Sequence, residues 1–356
     1  MRETWRSAAP WWAGLAVITA SLWVAAAQAQ DAAITKEEFL VQGRDQGVKL
    51  FVREKRLENL PKITRDNVVL FVHGIPSPAS IVFDLPVPGY SWLDYVAQRG
   101  FDTFTLDIRG FGRSARPPEM KEAASQNLPL VRADQVMRDI DAAVDYIRSK
   151  RKVDRVSLVG WSMGASWCAL YATLHPEKVN KLVMLGAVYG KNPVYVKAFG
   201  DPANPDRPFY EMGAYRYVTR REILDGWDGW IKPELRDVWR EKEVIDAWID
   251  ALFASDPSSK QRTPESIQLP SGPYIDWHEI HAGRSIFNPA RIKAPTMIVR
   301  GSAEEMISSE AADDLLQKLT GAPYKRRLDI GDSTHYALLE RNRLQLYREV
   351  QAFLEE

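Results

Sequence analysis

The sequence predicts an α/β protein: a mostly parallel central sheet with helices on both faces and an inserted helical cap. Three observations carry that expectation. Short continuous apolar runs, such as Val68–Val72, have the character of strands buried on both faces. Stretches with helical spacing separate these runs, the pattern of parallel strands joined by crossover helices. One segment, 189–289, breaks the alternation and carries no buried-strand signal.

Composition narrows the class further. The chain has 356 residues, 45% hydrophobic and 26% charged, which excludes a disordered polymer and supplies enough apolar side chain for a large core. Lys+Arg 47 against Asp+Glu 47 gives no net charge, so no nucleic-acid partner is expected. The single cysteine excludes an internal disulfide and argues against a cysteine-built zinc site.

The N-terminus has the layout of an export signal. Arg2 and Arg6 precede an apolar stretch from about Ala8 to Ala27, and Ala27-Gln28-Ala29 fits the small-x-small cleavage pattern. Residues 1–29 are therefore expected to be a cleaved signal peptide, which places the mature protein in the periplasm or outside the cell. An uncleaved membrane anchor is the alternative, because the stretch is nearly long enough to span a bilayer. No later stretch is long and apolar enough to do so, so no membrane span is expected after cleavage.

Strand and helix signals then alternate through 30–188, the expected first part of the core. Strands are expected at Lys49–Arg56, Val68–Val72, Phe101–Ile108, Val156–Gly160 and Lys181–Val188. Val136, Ile140, Val144 and Ile147 predict a helix within Val131–Arg151. Residues 290–356 are expected to complete the core with strands at Thr296–Arg300 and Tyr324–Ile330. Between them, Pro193, Pro202, Pro205 and Pro208 make the start of 189–289 irregular. Pro233 then opens a helix whose Leu235, Val238, Trp239, Ile245, Trp248, Ile249 and Leu252 share one face, so this insertion is expected to be a mainly helical cap.

Chemistry concentrates at strand ends. Gly160-Trp161-Ser162-Met163-Gly164 follows a strand and precedes the helix-compatible run Ala165–Leu174. A sharp strand-to-helix turn needs small flanking residues, lifts a serine oxygen clear of the sheet and aims helix N-terminal amides at the reacting atom. Ser162 is therefore the expected nucleophile. A hydroxyl needs a base, and imidazole has the right pKa. His335, in the loop Gly331–His335 after the last strand, is the expected base. His73, in His73-Gly74-Ile75-Pro76, is expected to be structural, with the Ile75 and Met163 amides forming an oxyanion hole. His175 is expected to be structural too. His278 and His281 have the spacing of a metal pair, but no third ligand joins them, and no metal is expected. The imidazole needs an acid partner. Glu304 is the first choice and Glu305 the second, both in the loop after Thr296–Arg300. Trp161, Trp227 and Trp230 are expected to contact substrate, because an aromatic cap suits an apolar or aromatic group. Cys168 is expected to be a buried small hydrophobe.

These motifs in this order resemble the α/β-hydrolase superfamily, specifically its capped, esterase- and lipase-like branch. The resemblance runs from about Lys49 to Glu356, the cap excepted. His73–Pro76 resembles the family's oxyanion motif, Asp107–Ser114 its usually structural loop after a core strand, Gly160–Gly164 its nucleophile elbow, and His335 with Glu340 its terminal histidine loop. The family more often has Asp where this chain has Glu304. Relatives that act on epoxides or halides use an aspartate nucleophile where this chain has Ser162. The combined expectation is a serine hydrolase that cleaves a small-molecule carboxylic ester through an acyl-enzyme and needs no cofactor. A peptidase or amidase, a carbon–carbon bond hydrolase using the same triad, and a catalytically silent ligand-binding protein are the alternatives.

Overall fold

Strand β1 (Ile34–Gln42) pairs antiparallel with β2 (Lys49–Leu57) at one edge of the sheet. The sequence pattern assigns no strand to Ile34–Gln42, because Lys36, Glu37 and Glu38 interrupt any apolar alternation. It forms as an edge strand bonded only to β2, where charges remain near water and near cations. Glu38 lies 3.0 Å from Arg53, and Glu37 lies 3.1 Å from Lys150. The computed structural model describes Met1 and residues 33–356. Apart from Met1, the expected signal segment lies outside the described residues, among which no helix is long and apolar enough to cross a membrane.

The chain continues through β3 (Val68–Val72), α1 (Ala79–Val82), α2 (Trp92–Ala97), β4 (Asp102–Leu106), α3 (Ala133–Arg151), β5 (Val156–Trp161), α4 (Met163–Leu174) and β6 (Val179–Leu185). Every residue of β3, β4 and β5 is buried, including the polar Asp102, Thr103, Thr105 and Ser157, as strands covered on both faces require. α3 buries Val136, Ile140, Val144 and Ile147 on one face and stops at Lys152, whose φ is 55°.

An insertion between β6 and the last two core strands holds α5 (Pro193–Phe199), β7 (Gly200–Asp201), β8 (Asn204–Pro208), β9 (Tyr215–Thr219), α6 (Arg220–Asp228), α7 (Arg236–Trp239), α8 (Lys242–Ala254), β10 (Ser266–Pro270) and α9 (Gly272–His281). Two short antiparallel ribbons, β7–β8 and β9–β10, accompany its helices. The pairing of β9 with β10 joins segments far apart in sequence and leaves no local period to detect. The single helix expected after Pro233 is broken. Arg240 is extended, at φ −134° and ψ 162°. The break frees the Trp239 carbonyl to accept from the Arg341 N–H at 2.7 Å. Val244, Ile245, Trp248, Ile249 and Leu252 are buried on α8, but Val238 lies before the break and is exposed.

β11 (Thr296–Gly301), α10 (Ser309–Lys318), β12 (Lys325–Ile330) and α11 (Arg343–Glu355) close the core. The eight-stranded sheet has the order β1-β2-β4-β3-β5-β6-β11-β12, parallel from β4 through β12. In such sheets ligands bind outside the carboxyl ends of the strands. The loops leaving β3, β5, β11 and β12 carry the chemistry-bearing residues.

Candidate active site

Ser162 links β5 directly to α4. Its φ of 60° and ψ of −129° are strained for a residue with a Cβ, at a cost of about 1–3 kcal/mol. Its neighbours explain how the strain is held. A Cβ on Gly160 would lie 2.5 Å from the Gly164 carbonyl oxygen, and one on Gly164 would run into the Val72 and His73 carbonyls. Two glycines thus let α4 start against the end of β3. The Ser162 N–H donates to the Leu185 carbonyl at 2.9 Å. Its hydroxyl is buried and has no hydrogen-bond partner among the described residues. A Cβ on Gly74 would lie 2.5 Å from the Ser162 Cβ and 3.0 Å from Met163 N, so the β3 exit loop packs directly on the turn.

His73 ties that loop down. Its Nε2 accepts from the Ile108 N–H at 3.0 Å, which leaves Nδ1 to donate to the Gly74 carbonyl at 2.5 Å. Complete burial lowers its pKa to about 4, so it is a neutral brace at ordinary pH. Asp107 is fully buried and accepts from the Ser80 N–H, the Ser80 hydroxyl and the Arg113 N–H, all of which close the loop after β4.

His335 sits in the loop after β12, and the described atoms fix it from several sides. Its Nδ1 lies 2.9 and 3.1 Å from the two carboxylate oxygens of Glu304. Glu304 is 3% exposed and also accepts from the Met306 N–H at 3.1 Å, whereas Glu305 is exposed. The geometry therefore separates two neighbouring glutamates that the sequence left as first and second choice. Arg300 braces their loop by donating to the Glu304 and Ile307 carbonyls at 2.6 and 3.1 Å.

Three residues that are not among the candidate site residues also shape this region. Glu340 is buried and accepts from the Thr334 N–H (2.8 Å), the Thr334 hydroxyl (2.6 Å) and the Trp227 indole N–H (3.0 Å). Gly301 is needed because a Cβ there would lie 2.6 Å from the Ser333 carbonyl oxygen. Gly186, at φ 54°, ends β6 beneath the histidine–glutamate pair. A Cβ there would stand 2.8 Å from His335 Nδ1 and 2.9 Å from Glu304 Oε2. Gly186→Ala should therefore push the pair apart and lower kcat by roughly a hundredfold. An unchanged kcat in a steady-state assay would show that the pair tolerates the methyl.

The three tryptophans expected at the substrate take different places. Trp161 is fully buried, and its indole N–H donates to the His335 carbonyl at 2.8 Å. Trp227 is also fully buried and stacks on Tyr336 at 4.6 Å. Both support the histidine loop, since their one polar atom is already engaged there. Trp230 stacks on the His335 ring at 5.6 Å and lines a cavity of about 750 Å³ together with Glu304. A second cavity, of about 220 Å³, is lined by Ile75, Pro76 and Tyr336 from the core and by Phe199, Tyr274 and Trp277 from the insertion.

The remaining candidates lie apart. His175 caps the far end of α4. His278 Nε2 lies 2.7 Å from the Pro205 carbonyl, and His281 Nδ1 lies 2.9 Å from that of Gly190. Among the described residues no group of three or more His, Cys, Asp or Glu side chains is placed to hold a metal ion. Burial pushes the Cys168 thiol up, away from the reactive thiolate.

Comparison with known proteins adds a consistent set of likenesses. A family model described as the alpha/beta hydrolase fold matches residues 67–342. The chain is 24% identical over 295 residues to the AB hydrolase superfamily protein YisY of Bacillus subtilis, covering 78% of this chain and 92% of that one. It is 31% identical over 100 residues to the poly(3-hydroxyalkanoate) polymerase subunit PhaC of Haloferax mediterranei, covering 28% of this chain and 18% of that one. The chain thus spans less than a fifth of that polymerase relative. Among solved structures, E-2-(acetamidomethylene)succinate hydrolase superposes with a TM-score of 0.59 at 18% identity, covering 91% of this chain and all of that one. The esterase EaEST from Exiguobacterium antarcticum superposes with a TM-score of 0.56 at 17% identity, covering 90% of this chain and all of that one.

Proposed function

Because the chain belongs to the alpha/beta hydrolase family, we propose that it is a serine hydrolase that cleaves small carboxylic esters through an acyl-enzyme on Ser162. The observation that carries this reading is the buried His335 Nδ1–Glu304 contact at 2.9 Å, in the same strand-end cluster as a strained serine with a free hydroxyl. With Nδ1–H donated to Glu304, His335 keeps its Nε2 lone pair for the serine proton.

In this mechanism Ser162 Oγ attacks the ester carbonyl as His335 takes its proton. The tetrahedral oxygen is held by the Ile75 and Met163 amides, the latter the first amide of α4, where the helix dipole also favours negative charge. Glu304 stabilises the imidazolium. His335 then protonates the departing alcohol, and a water activated by the same ring releases the acid. The chemistry of every step is supplied by side chains and amides of the chain.

A panel of p-nitrophenyl esters from acetate to palmitate, with an aryl amide as control, tests the reading. The small cavity beside Ile75 leads us to expect turnover of short acyl chains, falling steeply beyond about six carbons, and little cleavage of the amide. A preference for the amide would replace the reading with a peptidase or amidase. Export through a cleaved signal at residues 1–29 is part of the same proposal. Mass spectrometry of the protein recovered from the periplasm should give an N-terminus at Gln30, and a full-length mass in the membrane fraction would refute cleavage.

A further inference from the structure

We propose that Arg216 is a recognition group for a carboxylate, so that the preferred substrates are esters of short acyl chains ending in a carboxylate. This inference rests on the proposed serine-hydrolase site and names its substrate class.

Arg216 lies on β9 and lines the cavity of about 220 Å³ that Ile75 also lines. Its guanidinium stands over the Tyr274 ring, 5.0 Å from the centroid. Among the described residues the nearest carboxylate is Glu222 Oε1 at 3.6 Å, too long for a hydrogen bond. The other oxygen of Glu222 is occupied, because it accepts from the Thr219 N–H and hydroxyl at 2.7 Å each in the cap of α6. No hydrogen-bond acceptor among the described residues engages the guanidinium. Arg262, in the loop before β10, behaves differently and donates to Asp256 and to the Ser266 carbonyl at 2.8 and 2.6 Å.

The Arg216 side chain is partly exposed and stands against an aromatic wall, so a ligand in the cavity can reach its donors. A carboxylate fills them best, because two parallel N–H groups match its two oxygens. Glu222 lies close enough to offset the charge without a hydrogen bond to the donors.

Geometry also decides which part of the substrate carries the carboxylate. His335 must reach the leaving oxygen, and Trp230 stacks on His335 while lining the larger cavity. The alcohol therefore belongs on that side. The acyl chain belongs beside Ile75, in the cavity with Arg216. At about 30 Å³ for each water in the liquid, that space holds roughly seven heavy atoms, the size of a short acyl chain with a terminal carboxylate.

The test compares monomethyl glutarate with methyl pentanoate in a pH-stat assay. The wild-type protein should prefer the glutarate ester. In Arg216→Gln the ratio of the two kcat/KM values should fall tenfold or more, mainly through KM. Arg216→Lys, which keeps the charge but loses the fork, should fall in between. Glu222→Gln keeps an amide oxygen on Thr219 while removing the competing charge, and should raise the ratio. A ratio that is equal in wild type and both Arg216 variants overturns the inference.

Calorimetry separates this outcome from failure of the hydrolase reading. Monomethyl glutarate should bind Ser162→Ala saturably and lose that binding when Arg216→Gln is added. Absence of saturable binding to Ser162→Ala overturns the inference even if esters are hydrolysed. Arg216-dependent binding without serine-dependent turnover upholds the carboxylate site and overturns the hydrolase reading instead.

Discussion

Replacing Ser162 by alanine should lower kcat for ester hydrolysis by roughly five to six orders of magnitude and leave the fold intact. The size of the loss follows from the way a nucleophile and its base act as one unit: removing either costs about as much as removing the whole assembly. The intact fold follows from local structure. The Ser162 hydroxyl makes no hydrogen bond among the described residues, so its removal breaks none and relieves a buried, unpaired polar atom. The strained backbone at φ 60° is set by Gly160, Gly164 and the start of α4, and alanine meets the same strain that serine does. A melting temperature equal to or slightly above wild type should therefore accompany the inactive variant. Labelling by a fluorophosphonate should vanish with activity. Substantial turnover in Ser162→Ala would mean that another group attacks the carbonyl and would remove the basis of the mechanism. Loss of activity together with a melting temperature several degrees lower would mean that Ser162 supports the fold instead.

The core was legible because its signals are local. Val68–Val72 is an unbroken apolar run and Val156–Trp161 is interrupted by a single polar residue, Ser157, and burial on both faces is what such runs require. The strand-to-helix turn at Ser162 was legible for a similar reason, since the need for small residues is written into five consecutive positions. What escaped the sequence depends on partners far away along the chain. β1 looks too charged for a strand until Arg53 and Lys150 stand beside its glutamates. Glu304 and Glu305 are chemically identical neighbours, and only the turn that brings the Met306 N–H and His335 to the first of them tells them apart. Trp227 looks like an aromatic wall for substrate. Its indole instead reaches Glu340, which holds Thr334 and so the residue before His335. Arg216 gave no signal at all, because a lone arginine becomes informative only when a cavity shows which acceptors it lacks.

Glu304→Gln should lower kcat by roughly three to four orders of magnitude with little change in KM. The two side chains are nearly the same size, so the effect comes from hydrogen-bond polarity. Glu304 offers two acceptor oxygens, and the Met306 N–H and His335 Nδ1 both draw on them. Glutamine has one oxygen and one NH2. Oε1 of Glu304 serves both the Met306 N–H and Nδ1, the latter at 2.9 Å. If the glutamine NH2 takes that position, it faces His335 and forces Nδ1 to accept, so the ring proton sits on Nε2, which can no longer take the serine proton. If the oxygen keeps that position, the tautomer is correct but the imidazolium loses its counter-charge inside a buried site. Either arrangement slows the step that needs the base, and neither removes a contact with bound ester, so KM stays close to wild type. An amide in place of the triad carboxylate is known to cost about 10⁴ in kcat through the wrong tautomer, which sets the scale. Glu305→Gln is the matched control. That side chain is exposed, so the variant should stay within about threefold of wild type. Steady-state kinetics on both variants decides between the two glutamates: a large loss in Glu305→Gln with Glu304→Gln near wild type would reverse the assignment.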